Sequence, residues 1–276
     1  MDTLLSIVNW LLPLIYLALA IDYGATFILR TRTHDRSPGI VLAAAAHAAF
    51  LTLWGVRFGG LPLAHGYEVL SVIALSCTVI YGAVELATRD RRAGVFVFLL
   101  IFLLQYVSSA FLGRACGGSG AAAAIAARGW SRLHVLPACL AYTAMAFAAV
   151  YALLYLVGQR NLKQHRLGLL FDRLPPLELL GRMSWYALVG GFALMTLTMV
   201  TGAAFFRHAG SGDLDTALAH KVIAKIVIGT IAWAVCALAV GGRWVGKWSL
   251  SRVFRIAVTG SLVIVALFVT SAVLSE

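Results

Sequence analysis

The sequence predicts an all-α, polytopic integral membrane protein: a bundle of about eight transmembrane helices with both termini outside the cytoplasm. Three observations carry this. Of 276 residues, 61% are hydrophobic and 12% charged, where a soluble domain carries about 25% charged residues. The mean hydropathy is +0.91. The apolar residues gather in eight uniform stretches, each meeting the ~20 residues a span requires. A barrel would show alternating segments of about ten residues instead.

The first stretch, 4–29, is preceded by Asp2 alone and followed by Arg30, Arg32 and Arg36. A cleaved signal peptide needs basic residues ahead of its apolar run, so this segment is expected to stay as a span. The second, 39–58, carries His47 as its ninth residue, at mid-depth. The third, 67–87, opens beside Glu68 and closes beside Glu85, with Arg89, Arg91 and Arg92 behind it. The fourth is 94–113. The following loop, 114–132, holds a Gly- and Ala-rich run from Gly117 to Ala127, read as a lid or a short surface helix.

The fifth stretch, 133–158, opens with His134. A basic link, 159–183, contains Leu174-Pro175-Pro176-Leu177 and is expected to orient two halves of one transmembrane domain, 1–276. The sixth stretch, 184–206, is closed by His208. The seventh, 219–240, opens with His220 and carries Lys221 and Lys225; the eighth is 254–274. Trp130, Trp185, Trp244 and Trp248 read as interface anchors.

The net charge of +11 follows from sidedness. The loops after the first, third, fifth and seventh spans hold fifteen Lys and Arg, and the opposite side holds Arg57, Arg114, Arg128, Arg132 and Arg207. By the positive-inside rule the richer side is cytoplasmic, and nucleic acid is not needed to explain the charge. Cys77, Cys139 and Cys236 lie in spans and Cys116 in a loop, with no C-x-x-C. Buried free cysteines behave as small hydrophobes, so thiol redox chemistry is not indicated. No Gly-rich stretch follows a strand, which excludes a nucleotide loop.

His134, His208 and His220 are placed by this topology at one outer face, with His65 in a loop on the same side. Imidazole there can ligate haem iron, and porphyrin needs apolar walls. Arg128, Arg132 and Arg207, with Arg114, could fork onto propionates. The alternative for each histidine alone is an amphipathic interface residue with one wet edge. Zinc, with Asp213 and Asp215 assisting, is a further alternative, though it wants three or four ligands. His47 has two readings: a ligand of a second, embedded haem, or a neutral imidazole bonded to a carbonyl of a neighbouring helix. Lys225 sits about two turns inside its span, where a central lysine costs roughly 2.5–3.5 kcal/mol on insertion scales, less with snorkelling, and is expected to pair with Glu68. Asp22 and Glu85 are expected to form ion pairs with the adjacent arginine-rich loops.

Several stretches carry a family likeness. They are Gly66-Tyr67-Glu68-Val69-Leu70, then Trp130-Ser131-Arg132-Leu133-His134-Val135 with Leu140-Ala141-Tyr142, then Leu162-Lys163 with Leu174-Pro175-Pro176-Leu177-Glu178. Gly190 to Gly202, with Leu194-Met195-Thr196-Leu197 and Thr201-Gly202, and Lys225 with Trp233 and Gly242-Arg243 complete the series. In their order and spacing they resemble the CcsA, HemX and YpjD group of cytochrome c assembly-type membrane proteins, closest to the HemX- and YpjD-like branch. The resemblance implies that His134 is an axial haem ligand, and it matches His47 and His208 to histidines of YpjD-like members. It also implies a multi-pass protein of a bacterial inner membrane.

The chain departs from the assembly members in two places. Residues 207–218 contain no tryptophan where those members carry a tryptophan-rich loop, and the outer histidine expected after the last span is missing. His208 or His220 would supply the second ligand. Two readings follow. In the first, the protein holds b-type haem near the outer face through His134. It passes the haem to cytochrome c maturation with a partner membrane protein, without covalent chemistry of its own, or keeps it as a fixed subunit of an electron-transfer complex. In the second, favoured by the missing tryptophans, it is a haem-free scaffold or regulator of tetrapyrrole synthesis or metal-ion efflux.

Overall fold

The computed structural model describes residues 2–29, 38–58, 61–63, 66–115, 129–165, 168–209 and 216–273. Among them there are nine helices: α1 (Asp2–Leu29), α2 (Pro38–Phe58), α3 (Gly66–Thr88), α4 (Gly94–Ala115), α5 (Gly129–Lys163), α6 (Leu169–Arg173), α7 (Leu177–Ala209), α8 (Thr216–Trp244) and α9 (Leu250–Val273). All but α6 are long and apolar enough to cross a membrane. The all-helical expectation therefore holds, with every expected span inside or within a residue of one helix.

The largest departure is α7, which begins seven residues before the apolar stretch expected at 184–206. Glu178 and Arg182 interrupt the apolar pattern there, yet both are exposed, while Leu180 is buried. Lipid demands apolarity only from the faces it touches. One polar flank is enough to carry the helix past the greasy run. Pro175 and Pro176 then fix its start, because proline lacks the N–H a helix interior needs.

The chain divides into two compact units, Met1–Arg132 with Gly168–Pro175, and Leu133–Leu167 with Pro176–Glu276. In the first, α1 packs against α2 and α4, and α3 packs against the same two helices, closing a ring of four. Two seven-residue series on α1 face inward: Leu5, Leu12, Leu19 and Thr26, and Asn9, Tyr16 and Tyr23. Repeats of this period keep one helix face on its partner. Here one of the two buried rows is polar.

At the α3–α4 end of this unit, Arg91 satisfies the two acids that the sequence leaves near that turn. Its side chain is 4% exposed, with Nη2 3.4 Å from Asp22 Oδ2 and Nε 3.5 Å from Glu85 Oε1. The guanidinium lies 4.4 Å from the centroid of Tyr23, whose hydroxyl donates to Glu85 Oε2. Burial lowers the Arg91 pKa, but contacts to Tyr23, Glu85 and Asp22 outweigh it and the net shift is upward. Tyr81 packs edge-on against Tyr23 and Phe98 beside this charge, and Tyr23 lies tilted against Phe98.

In the second unit the core is a seam of small residues. Ala141, Ala148 and Ala152 on α5 and Ala232, Cys236 and Ala239 on α8 are buried with Leu188 and Met195 of α7 and Phe254 of α9. Small side chains let helix backbones approach closely, which is how helices associate where lipid removes the hydrophobic drive. Polar ties add to the seam: Ser184 Oγ donates to Ala148 O at 2.9 Å, Ser251 Oγ to Gln159 Oε1 at 2.7 Å, and Trp233 Nε1 to Thr196 Oγ1 at 3.0 Å.

Gly94 shows how little slack the first unit has. A Cβ there would lie 2.1 Å from the Tyr23 ring and 2.6 Å from the Tyr81 hydroxyl. Gly94→Ala should therefore destabilise the protein by about 1–3 kcal/mol, the usual range for overpacking. Gly24→Ala, whose Cβ would meet only Val95 at 3.6 Å, should be neutral or stabilising. Unfolding curves of the two variants in mixed micelles check this.

Candidate functional site

His134 stands in the first turns of α5, half-buried against α7. Its Nδ1 is 3.0 Å from the carbonyl oxygen of Thr198. A carbonyl only accepts, so Nδ1 carries the proton and Nε2 presents a lone pair. Among the described residues Nε2 has no hydrogen-bond partner. The imidazole lies against Gly202, where an added Cβ would come within 2.8 Å of Cε1 and 3.0 Å of Nδ1. Mid-helix glycine costs roughly 0.5–1 kcal/mol relative to alanine, and here the ring occupies the room it leaves. The Thr198 hydroxyl turns back to Leu194 O at 2.9 Å and does not compete for the ring.

The contact fixes one ring nitrogen and, among the described residues, leaves the other open. Metal-binding imidazoles usually give their second N–H to a carbonyl or carboxylate, which fixes the tautomer and raises basicity. An imidazole held this way is chemically the kind of donor that haem iron takes. His208, His220, Arg128, Arg132 and Arg207, the other outer-face residues named from sequence, have side chains outside those the structure describes, as do His65 and Arg114. Asp213 and Asp215 lie outside the described residues. Among the described residues no three of His, Cys, Asp and Glu converge as a metal-ligand set.

His47 is arranged in the opposite way. It is fully buried in the first unit. Its Nδ1 is 2.7 Å from the Tyr16 hydroxyl and its Nε2 is 2.8 Å from Ser71 Oγ. The direction of these bonds follows from the neighbours. Ser71 Oγ donates its one proton to Gln105 Oε1 at 3.0 Å, so it accepts from His47 Nε2–H. His47 Nδ1 then accepts from Tyr16, whose oxygen lies 3.1 Å from Thr78 Oγ1; the one Thr78 proton is shared between it and Ala74 O at 2.9 Å. Beyond Gln105 the series continues through Nε2 to Ser109 Oγ at 3.1 Å and from Ser109 Oγ to Asn9 O at 2.8 Å. Asn9 Nδ2 returns a bond to Ser109 O at 3.0 Å.

The result is one polarised hydrogen-bond series linking α1, α2, α3 and α4, with His47 at its centre. Both imidazole nitrogens are engaged, leaving neither lone pair for iron in this arrangement. The partners are hydroxyls of α1 and α3, where the sequence suggested a helix carbonyl. Glu68 is also buried and accepts from Trp54 Nε1 at 3.0 Å. Lys225 is an exposed residue of α8; Glu68 belongs to the first unit and Lys225 to the second.

Sequence reasoning passed over Thr198, Tyr16, Ser71 and Gln105. Gly202 stood in a recognised pattern without a role. The seven-residue series of Asn9, Tyr16 and Tyr23 was the available signal for the polar core, since polar residues repeating on one face of a span point inward.

Comparison with known proteins now adds the family. The model describing the cytochrome c assembly protein matches residues 63–275. The chain belongs to this family. Cytochrome c biogenesis protein CcsA from two strains of Heterosigma akashiwo is 31% identical over 102 residues, covering 37% of this chain and 32% of each relative. The match thus spans about a third of those proteins. No solved structure matches at a significant level. Membership supports a role in cytochrome c biogenesis for this multi-pass membrane protein. The matched region includes α5, α7 and α8, and hence His134, Thr198 and Gly202, while α1 and α2 precede it.

If Ser71 is the keystone of the polar series, Ser71→Ala strands His47 Nε2–H and Gln105 Oε1 together. Hydrogen bonds between membrane helices average about 0.6 kcal/mol and reach about 1.7, so losing two should cost about 1–2 kcal/mol. The check is the unfolding midpoint of Ser71→Ala against wild type in the same micelles, with Ser76→Ala, whose hydroxyl bonds only within its own helix at 2.9 Å, as the near-neutral control.

Proposed function

We propose that this protein binds b-type haem through His134 and holds or passes it during cytochrome c biogenesis in a bacterial inner membrane. Two independent facts support the reading. Family membership points to cytochrome c assembly. The half-used imidazole of His134, with Nδ1 bonded to Thr198 O, points to ligation through Nε2. The second fact carries the proposal, because it distinguishes His134 from His47, whose nitrogens are both occupied.

Bound haem would supply an iron whose axial positions take imidazole and whose potential the protein tunes. The chain's own contribution is to hold His134 in one tautomer and orientation. His208 or His220 would provide the second axial imidazole, and Arg128, Arg132 and Arg207 would receive the propionates. Transfer to an apocytochrome would need a partner membrane protein. No covalent step is assigned to this chain.

A haem-free scaffold or regulator is the competing reading. The absence of tryptophan from residues 207–218 favours it.

The test is direct. Protein purified in mild detergent from haem-replete cells should show a Soret band. His134→Ala should lose it while keeping the wild-type elution profile and helical signal. His47→Leu should keep the band despite lower stability. A colourless wild-type preparation that takes up no added haem would favour the scaffold.

A further inference from the structure

We infer that Gly202 is a positioning residue for His134: its missing side chain determines which imidazole nitrogen stays available outside the α5–α7 contact. The haem consequences rest on the function proposed above; the tautomer does not.

The argument starts from helix geometry. The carbonyl of residue 198 points along the axis toward residue 202, its hydrogen-bonding partner in an α-helix. A side chain at 202 stands beside that carbonyl and limits approach from outside. Glycine leaves the approach open, and the His134 ring enters it. The distances show which part of the ring depends on this. An added Cβ would lie 2.8 Å from Cε1 and 3.0 Å from Nδ1, but 3.7 Å from Nε2. The conflict therefore falls on the edge that donates to Thr198 O, and of the two nitrogens Nε2 is the less affected. Displacing that edge breaks the bond that keeps the proton on Nδ1. Once it is broken, the proton is free to move to Nε2 and occupy the lone pair a metal would use.

Gly94, Gly242 and Gly260 admit Tyr23, Trp248 and Val235 even more closely, at 2.1–2.3 Å, so what distinguishes Gly202 is the imidazole it admits, with one nitrogen bonded to Thr198 O. Gly191 and Gly229 on α7 and α8 also admit neighbours, but these are Met and Ala atoms, at 3.4–3.6 Å and 3.1 Å, with no tautomer to set. Gly190 faces open space, with nothing within 4 Å of an added Cβ. It is a control in the same helix as Gly202.

The experiment uses the full-length, haem-free protein labelled with nitrogen-15 at histidine, in detergent. The His134 signals are assigned by their loss in His134→Ala. Wild type and Gly190→Ala should show His134 protonated at Nδ1. Gly202→Ala should show protonation at Nε2 or a mixture of both forms. On haem titration, Gly202→Ala should bind about 10–100-fold more weakly than wild type, the usual cost of losing such a support. Its bound haem should also have a raised midpoint potential, because a less basic imidazole stabilises ferric iron less.

A wild-type His134 protonated at Nε2 overturns the inference by itself, even if Gly202→Ala fails to fold. An unchanged tautomer in a folded Gly202→Ala also overturns it. The expected tautomers in a protein that binds no haem would support the positioning role and defeat the proposed function. Haem bound equally well by wild type and Gly202→Ala, with the same potential, would overturn the role of Gly202 at the iron.

Discussion

A polar group inside a bilayer has to find its partner within the protein. Water is absent from the hydrocarbon region, and an unsatisfied donor or acceptor there costs several kcal/mol. This constraint organises the first unit. Five polar side chains from four helices meet in its interior and pass hydrogen bonds in one direction, from Tyr16 through His47, Ser71, Gln105 and Ser109 to the backbone of Asn9. Each hydroxyl has one proton to give, so the direction is set by the whole series. Apolar contacts alone tolerate sliding of one greasy helix on another; a hydrogen-bond series tolerates only one register.

The same constraint gives the two described membrane histidines opposite characters. His47 is saturated because Tyr16 supplies a donor and Ser71 an acceptor. His134 meets one acceptor, Thr198 O, and among the described residues its other nitrogen has no hydrogen-bond partner. Neither residue's own position in its span predicts this. His47 is at mid-depth, where an ionisable group invites a functional reading, yet its environment is that of a structural bond. His134 is at a helix start, where a wet, amphipathic histidine is commonplace, yet one of its nitrogens is fixed by a carbonyl of a neighbouring helix.

Family membership and geometry meet at His134. The matched region begins ahead of α3 and runs through α5, α7, α8 and α9, so the residues around His134 belong to what the chain shares with cytochrome c assembly proteins. The polar series draws half its helices, α1 and α2, from ahead of that region.

The sequence alone determined the fold class and the location of the spans, because crossing lipid imposes an unbroken apolar run that nothing else in a small protein requires. It also determined that Asp22 and Glu85 would need cations, since basic residues crowd the adjacent turns; Arg91 meets both. The beginning of α7 escaped it, because a helix exposed on one flank need not be apolar all round. The tertiary structure decided what each histidine can do. The partners that saturate His47 lie 31 and 24 residues away, and the carbonyl that fixes His134 lies 64 residues away. Hydropathy records how greasy a segment is; it carries no information about which face of one helix meets which face of another, and that meeting sets the proton on each imidazole.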